Sequence, residues 1–150
     1  MCDYSLHGIR NRLADEGETL VVHRFFTGSK GLTAPEYLKP IRKAEGFIAT
    51  LKEMFGALPK ECAVCIPDGA RLVLHGIPPA LRKAHGLCST EPVKFRQLSP
   101  EADDYRDAVE FRNGFKLRLQ DLEEGQTLEV KALCSEESEV RSRSLEQNAR

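Results

Sequence analysis

Two alternating apolar rows separated by a short loop constrain this chain more than any other feature. In residues 107–119, Val109 and Phe111 alternate with charged residues, and so do Phe115, Leu117 and Leu119, which is the period of a strand with one buried face. A two-residue Asn113-Gly114 turn sets Phe111 opposite Lys116 and Val109 opposite Arg118, mixing apolar and charged side chains on one face. A three-residue loop, Arg112-Asn113-Gly114, with Gly114 in the left-handed position of a bulge, instead pairs Phe111 with Phe115 and Val109 with Leu117. It also sets Glu110 opposite Lys116 on the other face, a pair worth roughly 0.2–1 kcal/mol that marks the register more than it stabilises the sheet. Glu123-Glu124-Gly125 then turns the chain into a last strand over residues 127–133, so residues 107–132 read as an antiparallel meander.

Residues 61–76 repeat the construction. A Pro67-Asp68-Gly69 turn with Gly69 as the bulge pairs Ile66 with Ala70, Val64 with Leu72 and Cys62 with Leu74. Cys65 then falls on the opposite face from Cys62, across from Arg71, whose cation favours a thiolate. This bears on the chain's best metal pattern. Cys62-x2-Cys65 followed by His85-x2-Cys88 has ligand types suited to a four-coordinate zinc site or another soft metal. A regular strand, however, separates the two thiols that a zinc knuckle needs on one side, and neither pair has the usual Cys-Pro-x-Cys-Gly form.

The rest of the chain alternates between strand and helix periods. Residues 19–26, TLVVHRFF, form the first expected strand. The Thr27-Gly28-Ser29-Lys30-Gly31 segment after it has the residue types of a phosphate loop in the wrong order, so it reads as an ordinary loop. Ile41, Ala44, Ile48, Leu51, Phe55 and Leu58 recur at intervals of three and four behind Pro40, an amphipathic helix stopped by Gly56 and Pro59. A short helix over residues 79–87 and a strand over 92–98 follow. Beyond Cys134 the apolar pattern ends, and residues 135–150 read as a disordered tail. The expected fold is therefore one β-rich domain, residues 1–134: a small antiparallel meander or barrel of about seven strands with one inserted amphipathic helix. An α+β roll is the alternative.

Composition narrows function less than fold. The 22 basic and 23 acidic residues leave a net charge of −1, so any attraction to polyanions or anionic membranes must come from a local patch. No apolar run reaches the length of a spanning helix and no signal-peptide pattern opens the chain, which implies a cytoplasmic protein with no membrane partner. Five cysteines, an odd number, favour reduced thiols or a metal site over a disulfide framework. There is no complete catalytic or nucleotide-binding signature, so no enzyme class is assigned. The leading expectation is a noncatalytic binding or interaction module, with a protein among its candidate partners. A cysteine-centred site is the first rival. If Met1 is removed, Cys2 carries both a thiol and an α-amine, and with Asp3, His7 or His23 and Cys65 it offers a nucleophile or soft-metal ligands. The second rival is single-stranded nucleic-acid binding on a basic barrel face, because Lys94, Arg96 and Arg118 interleave with apolar residues. Assignment of Phe95, Phe115 and Leu117 to the core, and of Glu110 to Lys116, weighs against it.

With Met1-Cys2-Asp3-Tyr4-Ser5-Leu6, Ala63-Val64-Cys65, Phe95-Arg96-Gln97 and the Asp107-Ala108-Val109-Glu110-Phe111-Arg112-Asn113-Gly114 hairpin, the chain resembles a group of uncharacterised small bacterial proteins that open with the same six residues. The likeness runs to about Leu133. It implies no activity, and it draws attention to Cys2, Asp3 and Cys65. The Met-Cys start is also similar to class II glutamine amidotransferases, whose exposed cysteine is the nucleophile. Those continue with glycine and isoleucine where this chain has Asp3 and Tyr4, and the chain is short for that catalytic domain.

Overall fold

The computed structural model describes residues 8–38, 61–99, 101 and 105–134. Within them the strands are β1 (Arg10–Leu13), β2 (Thr19–Arg24), β3 (Lys30–Thr33), β4 (Cys62–Cys65), β5 (Arg71–Leu74), β6 (Glu91–Gln97), β7 (Asp107–Phe111), β8 (Lys116–Arg118) and β9 (Thr127–Ala132), with a helix α1 (Pro79–His85) between β5 and β6. Seven strands form one sheet in the order β3-β2-β9-β5-β6-β7-β8, antiparallel at every pairing, while β1 and β4 form a separate parallel pair. The fold is mainly β, as the sequence implies. The helix expected over residues 41–58 and the tail 135–150 lie outside the described residues.

The β7–β8 hairpin has the register read from its alternation. Val109 pairs with Leu117 and Glu110 with Lys116. The Phe111 N–H donates to the Phe115 carbonyl at 2.8 Å, and Gly114 closes the loop at φ 85°. The two phenyl rings stack with centroids 5.6 Å apart. Beyond Arg118 the meander fails. A single 3-10 turn, Leu119–Asp121, ends β8, and the chain crosses back so that β9 lies between β2 and β5 rather than beside β8. Leu119 and Leu122, both buried, anchor that crossing.

The second expected hairpin is also corrected. Gly69 does turn the chain at φ 86°, and the Ala70 N–H reaches the Pro67 carbonyl. Yet β4 and β5 do not pair. The Phe95 N–H instead donates to the Ala70 carbonyl and the Phe95 carbonyl accepts from the Gly69 N–H, β5 continues against β6 and β9, and β4 pairs in parallel with β1. Burial explains the split. All four residues of β4 are buried, whereas β5 alternates between half-buried and buried. A strand covered on both faces carries a continuous apolar run, and Cys-Ala-Val-Cys is such a run. Val64 joins the main core, while Ala63 packs with Ile9 and Phe25 on the other side. The Thr33 hydroxyl ties β3 to β4 by donating to the Cys62 carbonyl at 2.7 Å.

The main core lies on the inner face of the sheet, where Leu20, Val22, Leu72, Phe95, Val109, Phe111, Leu128 and Val130 are essentially inaccessible. Each of the larger side chains contributes roughly 1.5–3 kcal/mol on burial. No backbone ladder joins the edge strands β3 and β8, so the barrel is not closed and the sheet is an open roll. Side chains cross its seam in both directions, the Lys30 ammonium donating to the Leu122 carbonyl and Gln120 reaching back to the Lys30 backbone. The amide of Gln120 accepts from the Lys30 N–H at 2.9 Å and donates to the Lys30 carbonyl at 2.7 Å, standing in for the neighbour an edge strand lacks.

A candidate anion-binding face on the sheet

Strict alternation sends every second side chain of the sheet away from the core. On β6, Val93 and Phe95 face inward, so Lys94 and Arg96 face outward. Cross-strand register extends that face in two rows. Arg71, Lys94, Glu110 and Lys116 lie side by side on β5, β6, β7 and β8; next to them, Arg96 and Arg118 flank the small, buried Ala108. A bulge between Arg71 and Leu72 against β9 brings Lys131 alongside Arg71. The outer face therefore gathers cations from four strands, β5, β6, β8 and β9, in a chain whose overall charge is −1.

At the centre of this face is a groove of about 610 Å³, whose charged lining consists of Arg71, Lys94, Arg112, Lys131 and Glu110. Val73 and Pro92 supply its apolar wall. Part of the charge is internally balanced. Glu110 lies 3.7 Å from Arg96 and 3.5 Å from Lys116, Lys131 pairs with Glu129, and Arg118 holds Asp121 at 2.9 Å. Lys94 and Arg112, both exposed, have no ion-pair partner among the described residues. Among the described residues that line the groove, no side chain carries a hydroxyl, thiol or imidazole.

The structure brings Lys94, Arg96 and Arg118 onto this one face. The metal-pattern residues are not brought together. Cys62 is a buried free thiol, Cys65 is disulfide-bonded, and Cys88 is exposed. His85 stacks on Phe115 with centroids 3.6 Å apart. Among the described residues no three His, Cys, Asp or Glu side chains are grouped to hold a metal ion. Cys65 is a correction in two respects: it is oxidised rather than a reduced thiol, and its strand neighbour is Leu13, while Arg71 pairs with Lys94. Cys2, Asp3 and His7 lie outside the described residues. His23 sits between two carboxylates, 3.3 Å from Glu61 and 4.0 Å from Glu124. In the glycine-rich loop, the Lys30 ammonium is spent on the Leu122 carbonyl at 2.7 Å, which makes that segment a turn and not an anion cradle.

Sequence reasoning missed Arg71, Arg112 and Lys131. Arg112 was assigned only to the turn. Arg71 reaches the groove through the pairing of β5 with β6, and Lys131 because β9 crosses to lie beside β5; no local pattern announces either pairing. A bidentate ion pair elsewhere is structural: Arg12 grips both oxygens of Glu18 at 3.0 and 2.8 Å, which raises the arginine's pKa and lowers the carboxyl's. Among the described residues no helix is long and apolar enough to cross a membrane. Comparison with known proteins finds no matching family model, no matching curated protein and no matching solved structure.

Proposed function

We propose that the protein is a noncatalytic binding module that takes an anionic ligand in the groove over β5, β6, β7 and β9. The observation that carries this is the groove's charge, four cations to one carboxylate, with Lys94 and Arg112 exposed and unpaired among the described residues. Its size suits a small ligand or one segment of a longer one. A lining with a single carboxylate and no nucleophile or imidazole supports binding without covalent or proton-transfer chemistry.

Calorimetric titration with pyrophosphate at low ionic strength tests this reading. Saturable binding is expected, weakened at least about tenfold in the Lys94→Gln, Arg112→Gln double variant, because a charge-assisted hydrogen bond contributes on the order of 1.5–3 kcal/mol before screening. Both positions are exposed, so the variant should fold normally. An absence of saturable binding by the native protein, or equal affinity in the double variant, refutes the proposal.

A further inference from the structure

The basic face continues past the groove. Lys116 and Arg118 on β8, and Arg96 on β6, share the outer face with the groove's cations but do not line it. From Lys131 on β9 to Arg118 on β8 the face crosses four inter-strand steps, roughly 19 Å at the spacing of adjacent strands. A compact anion cannot span that distance, whereas a linear polyanion can.

We infer that the ligand is single-stranded nucleic acid, held through its phosphates across the strands with its bases turned to solvent. This rests on the anionic ligand proposed above and names its class. Lysine and arginine side chains are donors with no acceptor, and the carboxylates beside them, Glu110, Glu129 and Asp121, already answer Arg96, Lys116, Lys131 and Arg118. The contacted side of the ligand must therefore present acceptors alone. A phosphodiester backbone does so. An acidic peptide also brings backbone N–H groups, and on the flat of a sheet they meet no edge to pair with. Arg112, exposed and without an ion-pair partner among the described residues, carries the planar fork that fits two phosphate oxygens, whereas the fork of Arg118 already holds both oxygens of Asp121. The outward positions named on this face include no aromatic side chain, so stacking contributes nothing there and base identity is not read.

Fluorescence anisotropy of the full chain with labelled oligothymidylate and oligoadenylate of about twelve nucleotides tests the inference, alongside the pyrophosphate titration. For about four neutralised phosphates, the single-strand salt law predicts a roughly 50-fold loss of affinity between about 50 and 200 mM salt. The two homopolymers should bind within about threefold of each other, since base stacking is what separates them. Lys116→Gln with Arg118→Gln should lower the salt slope by about 1.4 and weaken pyrophosphate binding far less than the Lys94→Gln, Arg112→Gln pair does, because both positions lie outside the groove and touch it only through the Lys116–Glu110 ion pair. Both are exposed, and Arg96→Gln tests the same stretch from the neighbouring strand should that pair disturb folding. Oligonucleotide binding no tighter than pyrophosphate, an unaltered slope in both variants, or equal binding of oligoglutamate overturns the inference while leaving the anion-binding groove standing. Failure of pyrophosphate itself to bind removes the groove reading instead.

Discussion

Replacing Gln120 by alanine tests how the roll is held shut. The side-chain amide makes two hydrogen bonds to the backbone of Lys30, one in each direction, at 2.9 and 2.7 Å, and both are partly buried. A neutral hydrogen bond contributes roughly 1 kcal/mol net, so removing two costs about 2 kcal/mol, less whatever water regains at a half-buried seam. The expected loss is about 1–2 kcal/mol, or roughly 3–8 °C in Tm for a domain of this size. Gln120→Glu keeps the acceptor for the Lys30 N–H but turns an anionic oxygen towards the Lys30 carbonyl, so at neutral pH it should cost at least as much as alanine. Urea unfolding measures the loss, and native-state hydrogen exchange locates it: the Lys30 amide should exchange faster in both variants while the Val109 and Val130 amides keep the protection of global unfolding. An alanine variant within about 0.5 kcal/mol of the native protein, with unchanged Lys30 exchange, refutes the seam argument.

Two further outcomes follow from local geometry. Gly114 sits at φ 85° with nothing within 4 Å of where a Cβ would stand, so Gly114→Ala should lose about 1–2 kcal/mol in urea unfolding from backbone conformation alone, and Gly114→Asn distinctly less; equal losses would point to packing. The Arg12 guanidinium and the Asp15 N–H hold the Glu18 carboxyl below the usual carboxylate range. Its folded pKa lies below its unfolded one, so the stabilisation is complete above the unfolded value, about 4.3, and is lost as pH falls through the folded value. Glu18→Gln should therefore differ most from the native protein near neutral pH and converge with it in acid. Parallel pH–stability curves would contradict the assignment.

Local pattern carried the fold up to the point where strand order begins. The β7–β8 register was legible because one alternative placed charges among apolar residues, and burial rejects that arrangement outright. Helix α1 was legible from Pro79 and Gly86, the latter closing it in the left-handed conformation at φ 66°. The same hairpin rule misled at residues 62–74, since Gly69 turns the chain whether or not the flanking strands pair. The signal that could have corrected it is the absence of alternation in Cys-Ala-Val-Cys beside the clear alternation of Arg-Leu-Val-Leu. The former is a strand for two buried faces and the latter a strand for one. The non-local pairings had no such signal: β1 with β4, and β9 between β2 and β5, are set by which apolar faces remain uncovered once the hairpins have formed.

The basic face illustrates how one pattern serves both ends. Interleaving of Lys94 and Arg96 with Val93 and Phe95 looks like an aromatic nucleic-acid motif, and burial of the aromatic residue counts against that motif. Yet the alternation that buries Phe95, 2% exposed, is what turns Lys94 and Arg96 out together. Cross-strand register then adds Lys116 and Arg118 at no cost to the core, since β7 places only Glu110 and Ala108 between them. A core that takes every second residue from neighbouring strands leaves the outer face free to collect charge, here with cations in excess over Glu110, Glu129 and Asp121. If the face binds single-stranded nucleic acid as proposed, the salt-dependent term has this row of cations to act on and the stacking term has no outward aromatic among the positions named, so phosphate number rather than base sequence is the variable that should govern affinity.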